Sequence, residues 1–161
     1  VMLCGDSKAA VTDTRKTLPG MRALQKYAVT AGGGKNHRFN LSDGAMIKDN
    51  HIDAYGGIIP AVTALREKIG HMVKIEVEVR NKDELMQAIE AGADVIMLDN
   101  MNCAEMAECV KLTDGRAKLE ASGNITLDNI ADVAATGVDI ISLGALTHSV
   151  KAFDISLRIT G

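Results

Sequence analysis

The sequence is poor in aromatic residues and cysteines. Only 2% of its 161 residues are aromatic, there is no Trp, and the net charge is −3. Proteins that bind nucleic acid usually need stacking side chains or a basic surface, so nucleic acid is not an expected partner. The three cysteines, Cys4, Cys103 and Cys109, show no CxxC spacing. Their spacing disfavours a disulfide framework or a zinc site and favours a reducing, cytoplasmic location.

Long apolar runs are missing as well. A transmembrane helix needs about 18 or more consecutive apolar residues, and no such stretch is present, so a membrane is not an expected partner. The first residues, VMLCGDSKAA, lack the basic start and apolar core of a secretory signal. With 47% hydrophobic residues, the chain can form one globular domain over 1–161. We therefore expect small-molecule ligands.

Short β-type runs alternate with amphipathic segments along the chain. The runs predict six strands, at Ala9–Thr14, Ala45–Lys48, Lys74–Val79, Val95–Asp99, Lys118–Ser122 and Ile140–Leu143. Two helical faces are clear between them, one formed by Leu85, Ala88 and Ile89, and one formed by Leu127, Ile130, Val133 and Ala134 after a start near Thr126. Repeated βα units predict an α/β fold, either an open doubly wound sheet or a barrel.

Charged and apolar residues alternate within the predicted strands. In KIEVEV, Glu76 and Glu78 lie on the side opposite the valines, and Glu120 does the same in KLEAS. If helices cover the apolar side, these charges point into a lumen and need partners of opposite charge on neighbouring strands. The pattern favours an incomplete (βα) barrel of about six parallel strands, TIM-barrel-like, over an open sheet with one solvated face. Alternation over 152–159 predicts a possible extra strand.

Polar residues or glycines stand at the end of nearly every predicted strand or directly after it. These are the candidate site residues: Arg15, Lys16, Lys48, Glu78, Asp99, Ser122, Gly123 and Gly144. The carboxyl ends of parallel strands meet at one edge, where such folds bind ligands. The loop GGGKNHR adds His37 and Arg38. Guanidinium and ammonium groups suit carboxylates and phosphates, so the set predicts a site for a polyanionic substrate.

Two parts of this edge suggest more specific chemistry. Glu78 and Asp99, on adjacent strands, could hold Mg²⁺ or accept hydrogen bonds from sugar hydroxyls, and either could instead be half of a buried ion pair. The backbone amides of Ser122–Asn124, together with the loop at Gly144, form a candidate phosphate site.

Six blocks of the sequence resemble the quinolinate phosphoribosyltransferases: DTRKTLPGMRALQKYAV, GGGKNHRFNLSDGAMIKDNHI, KIEVEV, VIMLDNM, LEASGNI and ISLGALTHS. The blocks occur in family order and cover nearly the whole chain. The resemblance implies a reaction of de novo NAD biosynthesis, in which quinolinate and 5-phosphoribosyl-1-pyrophosphate give nicotinate mononucleotide, pyrophosphate and CO₂. It also implies a requirement for Mg²⁺ and a homo-oligomer, a dimer or higher.

The resemblance further implies roles for individual residues. Arg15, Lys16, His37 and Arg38 would receive the two pyridine carboxylates and neighbouring phosphate charge. Lys48 would lie near the reacting centre or the pyrophosphate, while Glu78 and Asp99 would bind the ribose hydroxyls and the metal. Ser122, Gly123 and Gly144 would hold the 5-phosphate.

Members of the family carry an additional N-terminal domain that covers the barrel of a second subunit. The sequence begins just before the first predicted barrel strand, so we expect it to represent the barrel domain alone. Other functions remain open: a paralogous phosphoribosyltransferase with another anionic acceptor, a non-catalytic phosphate-binding module, or an unrelated α/β-barrel phosphate binder.

Overall fold

Six parallel strands form a single sheet in this computed structural model, which describes residues 1–160. The last residue of the predicted domain 1–161 lies outside the described part. The strands are β1 (Ala10–Thr12), β2 (Ala45–Ile47), β3 (Ile75–Val79), β4 (Val95–Asp99), β5 (Lys118–Ser122) and β6 (Ile140–Ser142). Their order across the sheet is β1-β6-β5-β4-β3-β2, so β1 and β2 are the two edges. All six predicted strands are confirmed, and the bounds of β4 and β5 are the predicted ones.

A helix follows each of the six strands, as expected for parallel βα units. They are α1 (Arg22–Ala31), α2 (Asp49–Tyr55), α3 (Ile58–Arg66), α4 (Lys82–Glu90), α5 (Cys103–Thr113), α6 (Ile130–Ala135) and α7 (Ala145–His148), preceded by a 3-10 turn at Met2–Cys4. Asparagine caps fix two of the helix starts: the side chain of Asn81 accepts the amide of Glu84, and that of Asn102 accepts the amide of Glu105. None of the described helices combines the length and the apolar character needed to cross a bilayer.

Both faces of the central strands are covered. Ile75, Val77 and Val79 of β3 are fully buried on one face, against the helices. Each such aliphatic side chain contributes about 1.5–3 kcal/mol through its burial. On the opposite face, Glu76 is 7% exposed and Glu120 is 1% exposed. The prediction that the alternating glutamates point inward is therefore confirmed.

The barrel is incomplete at the seam between β1 and β2, which do not pair with each other. A segment from the loop after α1 lies beside β1 at this seam. Lys35 donates its amide to the carbonyl of Val11 at 2.8 Å, and its carbonyl accepts the amide of Asp13 at 3.3 Å. This single bridge fixes the chain just ahead of His37 and Arg38, which places both residues at the carboxyl end of the sheet.

Two expectations about local structure are wrong. Helix α6 begins at Ile130, and Leu127 lies ahead of it with 79% of its surface exposed. The side chain of Asn129 accepts the amide of Thr126, which forms a turn there and delays the helix. The possible extra strand at 152–159 is not formed either. These residues are exposed and pair with no strand of the sheet, so their alternation has no surface to pack on.

Candidate active site

A cavity of about 250 Å³ opens at the carboxyl ends of the strands. Among the predicted site residues, those that line it are Arg15, Lys16, His37, Arg38, Lys48, Glu78, Asp99 and Ser122. The remaining lining residues are Thr14, Met46, Met97, Glu120 and Ser142. Thr14, Met46, Met97 and Ser142 are not among the predicted residues, because a single hydroxyl or thioether within or after a strand carries no distinctive signal.

The other predicted residues lie beside the cavity. Gly123 and Asn124 line an adjacent cleft together with Asn100, and Gly144 packs against Lys16 and His148. The backbones of Asn100, Gly123 and Asn124 all adopt positive φ angles, of 55°, 96° and 51°. Their side chains are tied together, since the Asn124 amide group donates to Oδ1 of Asn100 at 2.9 Å. The predicted phosphate loop is therefore a tightly held turn at the rim of the cavity.

Gly123→Ala should show how much this turn depends on glycine. A Cβ on Gly123 would lie 2.2 Å from Oδ1 of Asn100, whereas a Cβ on Gly115, which also has a positive φ of 72°, would meet nothing within 4 Å. Gly115→Ala therefore isolates the backbone cost of about 1–2 kcal/mol. We expect Gly123→Ala to lower the free energy of unfolding by more than this control and to weaken binding of inorganic phosphate. If urea denaturation gives equal losses of unfolding free energy for Gly123→Ala and Gly115→Ala, and phosphate binding is unchanged, the turn does not serve as a phosphate site that depends on glycine.

The segment with Arg15 and Lys16 is held from several sides. Arg22 donates to the carbonyl of Arg15 at 3.2 Å, and the hydroxyl of Thr147 donates to the carbonyl of Lys16 at 2.7 Å. The buried Nε of Arg15 has no hydrogen-bond partner within the described part of the chain. A buried guanidinium nitrogen without a partner is costly, so this donor is suited to an incoming anion.

Arg38 also lines the cavity, close enough to Arg15 for their charges to interact. Its guanidinium donates to the carbonyl of Gly44 at 2.9 Å and lies 3.5 Å from the sulfur of Met46. Burial, and then the positive charge of Arg15, lower the pKa of Arg38 from its ordinary value. Two cations held this close repel each other, and an anion between them would relieve that repulsion.

His37 and the buried Glu120 form the floor of the cavity, and Glu76, which does not line it, also contacts His37. Its Nε2 lies 3.2 Å from Glu76 and 3.4 Å from Glu120. The partner of these two acids is a histidine from a loop, whereas the predicted pairing across neighbouring strands is confirmed for Glu78 of β3 with Lys48 directly after β2. Burial alone would lower the pKa of His37, but the hydrogen bonds and charges of Glu120 and Glu76 outweigh it and raise the pKa to about 10. One oxygen of each glutamate remains buried without a hydrogen-bond partner within 1–160.

The ligand atoms of His37, Glu76 and Glu120 lie within 4.8 Å of one another, as in a metal site. The other ring nitrogen argues against this use. Nδ1 of His37 accepts the amide of Arg38 at 2.8 Å, so Nε2 must carry the proton in the neutral ring. A protonated Nε2 donates to carboxylates and does not bind a cation. The same amide opposes a second proton on Nδ1, so it moderates the rise in the pKa of His37.

The contacts of His37 with Glu76 and Glu120 predict that the protein becomes less stable towards unfolding as the pH rises. The pKa of His37 is raised above 6.5, to no more than about 10, because the Arg38 amide limits the rise. The stabilising contribution of protonated His37 is therefore complete below pH 6.5 and is lost as the pH rises from 6.5 towards 10. We expect the free energy of unfolding to fall over this range by no more than about 1.4 kcal/mol per pH unit. The measurement is urea denaturation of the parent chain and of His37→Gln. Parallel pH profiles for the two would contradict the assignment to His37.

Glu78 and Asp99 stand on neighbouring strands at the mouth of the cavity. Glu78 forms an ion pair with Lys48, and Asp99 accepts the side-chain amide of Asn100 at 3.0 Å. Both residues line the cavity. Mg²⁺ is commonly held by one or two carboxylates, with water and substrate phosphates completing the shell. The donor set at Glu78 and Asp99 fits that ion.

The fold and the cavity define an α/β-barrel protein with a cavity lined by cationic side chains at the carboxyl ends of its strands. A family model described as quinolinate phosphoribosyl transferase, C-terminal domain, matches residues 1–158. The chain belongs to this family.

Named relatives agree with this assignment. The probable nicotinate-nucleotide pyrophosphorylase [carboxylating] of Bacillus subtilis is 55% identical over 96% of this chain and 54% of its own length. The corresponding protein of Methanocaldococcus jannaschii is 49% identical over 92% of this chain and 55% of its own length. The structure of the nicotinate-nucleotide pyrophosphorylase from Francisella tularensis superimposes with a TM-score of 0.93 at 49% identity, over 97% of this chain and 55% of that chain. The chain therefore spans about half the length of these relatives.

Proposed function

We propose that this chain is the catalytic barrel of a phosphoribosyltransferase that converts quinolinate and 5-phosphoribosyl-1-pyrophosphate into nicotinate mononucleotide, pyrophosphate and CO₂. The observation that carries the proposal is the convergence of Arg15, Lys16, Arg38 and Lys48 on one cavity that also holds Glu78 and Asp99. The cations suit a dicarboxylate and a pyrophosphate, while the carboxylates suit a ribose with developing positive charge.

The residues divide between the two substrates. Arg15, Lys16 and Arg38 bind the pyridine carboxylates above the floor formed by His37. Lys48 lies beside Glu78, where the pyrophosphate leaves, and Ser122, Gly123, Asn124 and Gly144 hold the 5-phosphate. Glu78 and Asp99 bind the ribose hydroxyls. They would also hold Mg²⁺, which supplies charge neutralisation for the pyrophosphate when bound.

The chemistry has two stages. First, the pyridine nitrogen attacks the anomeric carbon, and the bond to pyrophosphate breaks through an oxocarbenium-like state that Glu78 and Asp99 stabilise. Second, the bond between the ring and its 2-carboxylate breaks, CO₂ leaves, and the electron pair remains on the ring carbon as an ylid beside the positive nitrogen. A proton then replaces the CO₂. Because a tightly held 2-carboxylate would resist leaving, Arg38 binds the surviving 3-carboxylate.

The three cysteines of the chain are free, which supports a reducing, cytoplasmic location.

An apolar groove of about 610 Å³ lies beside α1 and is lined by exposed residues such as Leu18, Leu24 and Val150. This groove supports association into a homo-oligomer.

The direct test is to incubate the folded chain with quinolinate, 5-phosphoribosyl-1-pyrophosphate and Mg²⁺ and to look for nicotinate mononucleotide by chromatography. Product supports the proposal. If the chain binds the sugar pyrophosphate but not quinolinate, and turns over a different pyridine or anionic acceptor, a paralogous transferase takes its place. Binding of both substrates without any product, even when the N-terminal half of a relative is added, would favour a binding module.

A further inference from the structure

Asp13 and Lys26 form an ion pair beneath the anion site, and neither residue lines the cavity. Asp13 is fully buried and Lys26 is 2% exposed. Asp13 follows β1 and precedes Arg15 by two residues, while Lys26 belongs to α1. The pair thus connects the start of the Arg15–Lys16 segment to the helix behind it.

The same pair forms hydrogen bonds with both the backbone amide and the backbone carbonyl of His37. Oδ1 of Asp13 accepts the amide of His37 at 3.0 Å, and Nζ of Lys26 donates to the carbonyl of His37 at 2.9 Å. Asn36 completes the cluster, because its side-chain amide donates to Oδ2 of Asp13 at 2.5 Å and to the carbonyl of Lys26 at 2.9 Å. Every oxygen of the Asp13 carboxylate is therefore occupied by the segment that carries His37 and Arg38.

Stability alone gives no reason for this arrangement. A buried ion pair loses its hydration, and an apolar pair of similar volume is often as stabilising or more so. An apolar pair cannot, however, hold an amide and a carbonyl of a loop residue in one fixed place. That fixed placement matters here because Arg15 lies only two residues after Asp13 in the chain, and Arg38 follows His37 directly. One cluster of hydrogen bonds therefore connects the two segments that carry the arginines.

We propose that Asp13, Lys26 and Asn36 are positioning residues, which set the spacing between the Arg15–Lys16 segment and the His37–Arg38 segment and so select a planar dicarboxylate of the size of quinolinate. The inference rests on the proposed function for the identity of the ligand. Its structural part is that the cluster fixes the position of His37, and this part rests on the hydrogen bonds of the cluster alone.

The test uses Asn36→Ala, with Thr113→Val as its matched control. Asn36 is an exposed residue whose loss leaves the ion pair in place, so the variant should fold. Thr113 is buried and donates its hydroxyl to the carbonyl of Cys109, away from the cavity. A double variant, Asp13→Asn with Lys26→Met, removes both buried charges together, so neither is left unpaired. It keeps an acceptor for the His37 amide but loses the donor to its carbonyl.

Calorimetry with quinolinate and with 5-phosphoribosyl-1-pyrophosphate gives the first readout. We expect Asn36→Ala and the double variant to weaken quinolinate binding about tenfold or more, with less than about a threefold change for the sugar pyrophosphate. Thr113→Val should lower the unfolding midpoint and leave both affinities unchanged. If Asn36→Ala and the double variant lose stability like this control but keep their quinolinate affinity, the cluster is merely structural and the proposal is overturned.

Amide hydrogen exchange separates this inference from the proposed function. If the parent chain binds neither ligand, the proposed function fails, and the exchange rate of the His37 amide decides on positioning alone. An exchange rate about tenfold faster in Asn36→Ala than in the parent, with no such change in Thr113→Val, supports the claim that the cluster fixes the position of His37. An unchanged rate overturns it.

Discussion

Replacing Arg38 with alanine is expected to weaken quinolinate binding by about 100-fold, because a charge-assisted bidentate pair with a carboxylate is lost. Binding of 5-phosphoribosyl-1-pyrophosphate should change little, since the residues proposed for the ribose and its phosphate lie at the ends of β3 to β6, outside the loop that carries Arg38. The guanidinium is already oriented by the carbonyl of Gly44, so it is held ready for its ligand. Calorimetric titration of each substrate separately measures the two affinities.

Two further variants sharpen this experiment. Arg38→Lys keeps the charge but loses the planar fork, and we expect it to recover only a small part of the affinity. Arg116→Ala is the control, because Arg116 is exposed and bonds carbonyls at the end of α5, remote from the cavity. A comparable loss for both substrates in Arg38→Ala would refute the division of the site into an acceptor half and a sugar half.

Much of the fold can be predicted from the sequence, because parallel βα units produce a regular alternation of short apolar segments and amphipathic helical segments. The buried strands β4 and β5 are continuous apolar or alternating runs, so even their bounds are recovered. The candidate site follows from the same fact, since the carboxyl ends of parallel strands must meet at one edge. That rule brings together residues as far apart in the chain as Arg15 and Ser122.

The interior of the site is less predictable, because side-chain partners from different elements have no fixed spacing in the chain. Lys26 reads as an ordinary surface lysine of a helix, yet it is buried against Asp13. Glu120 reads as one of several alternating charges, and only the loop carrying His37 shows why it is tolerated inside. The exposed segment 152–159 shows the converse, because an alternating pattern forms a strand only where an edge is available to it.

Replacing Glu78 with glutamine is expected to lower kcat on the order of 10²–10³-fold while leaving the KM for quinolinate almost unchanged. Glutamine keeps the size and the polar character of the side chain but removes the negative charge that we propose to act beside the anomeric carbon. It also removes the ionic partner of Lys48. Because that charge matters most when positive charge develops on the ribose, its loss should affect the transition state more than the bound substrates.

Steady-state kinetics of Glu78→Gln, Asp99→Asn and Glu108→Gln would measure this effect. Glu108 is exposed and pairs with Lys82 on the outer helices, so its variant should retain the parent kcat. Asp99→Asn should resemble Glu78→Gln, because Asp99 stands on the neighbouring strand at the same mouth of the cavity. A loss confined to KM for the sugar pyrophosphate would mean that the two carboxylates only bind the ribose. The positive charge of the transition state would then have to be stabilised by another group, and the buried Glu120 at the floor of the same cavity would be the next residue to replace.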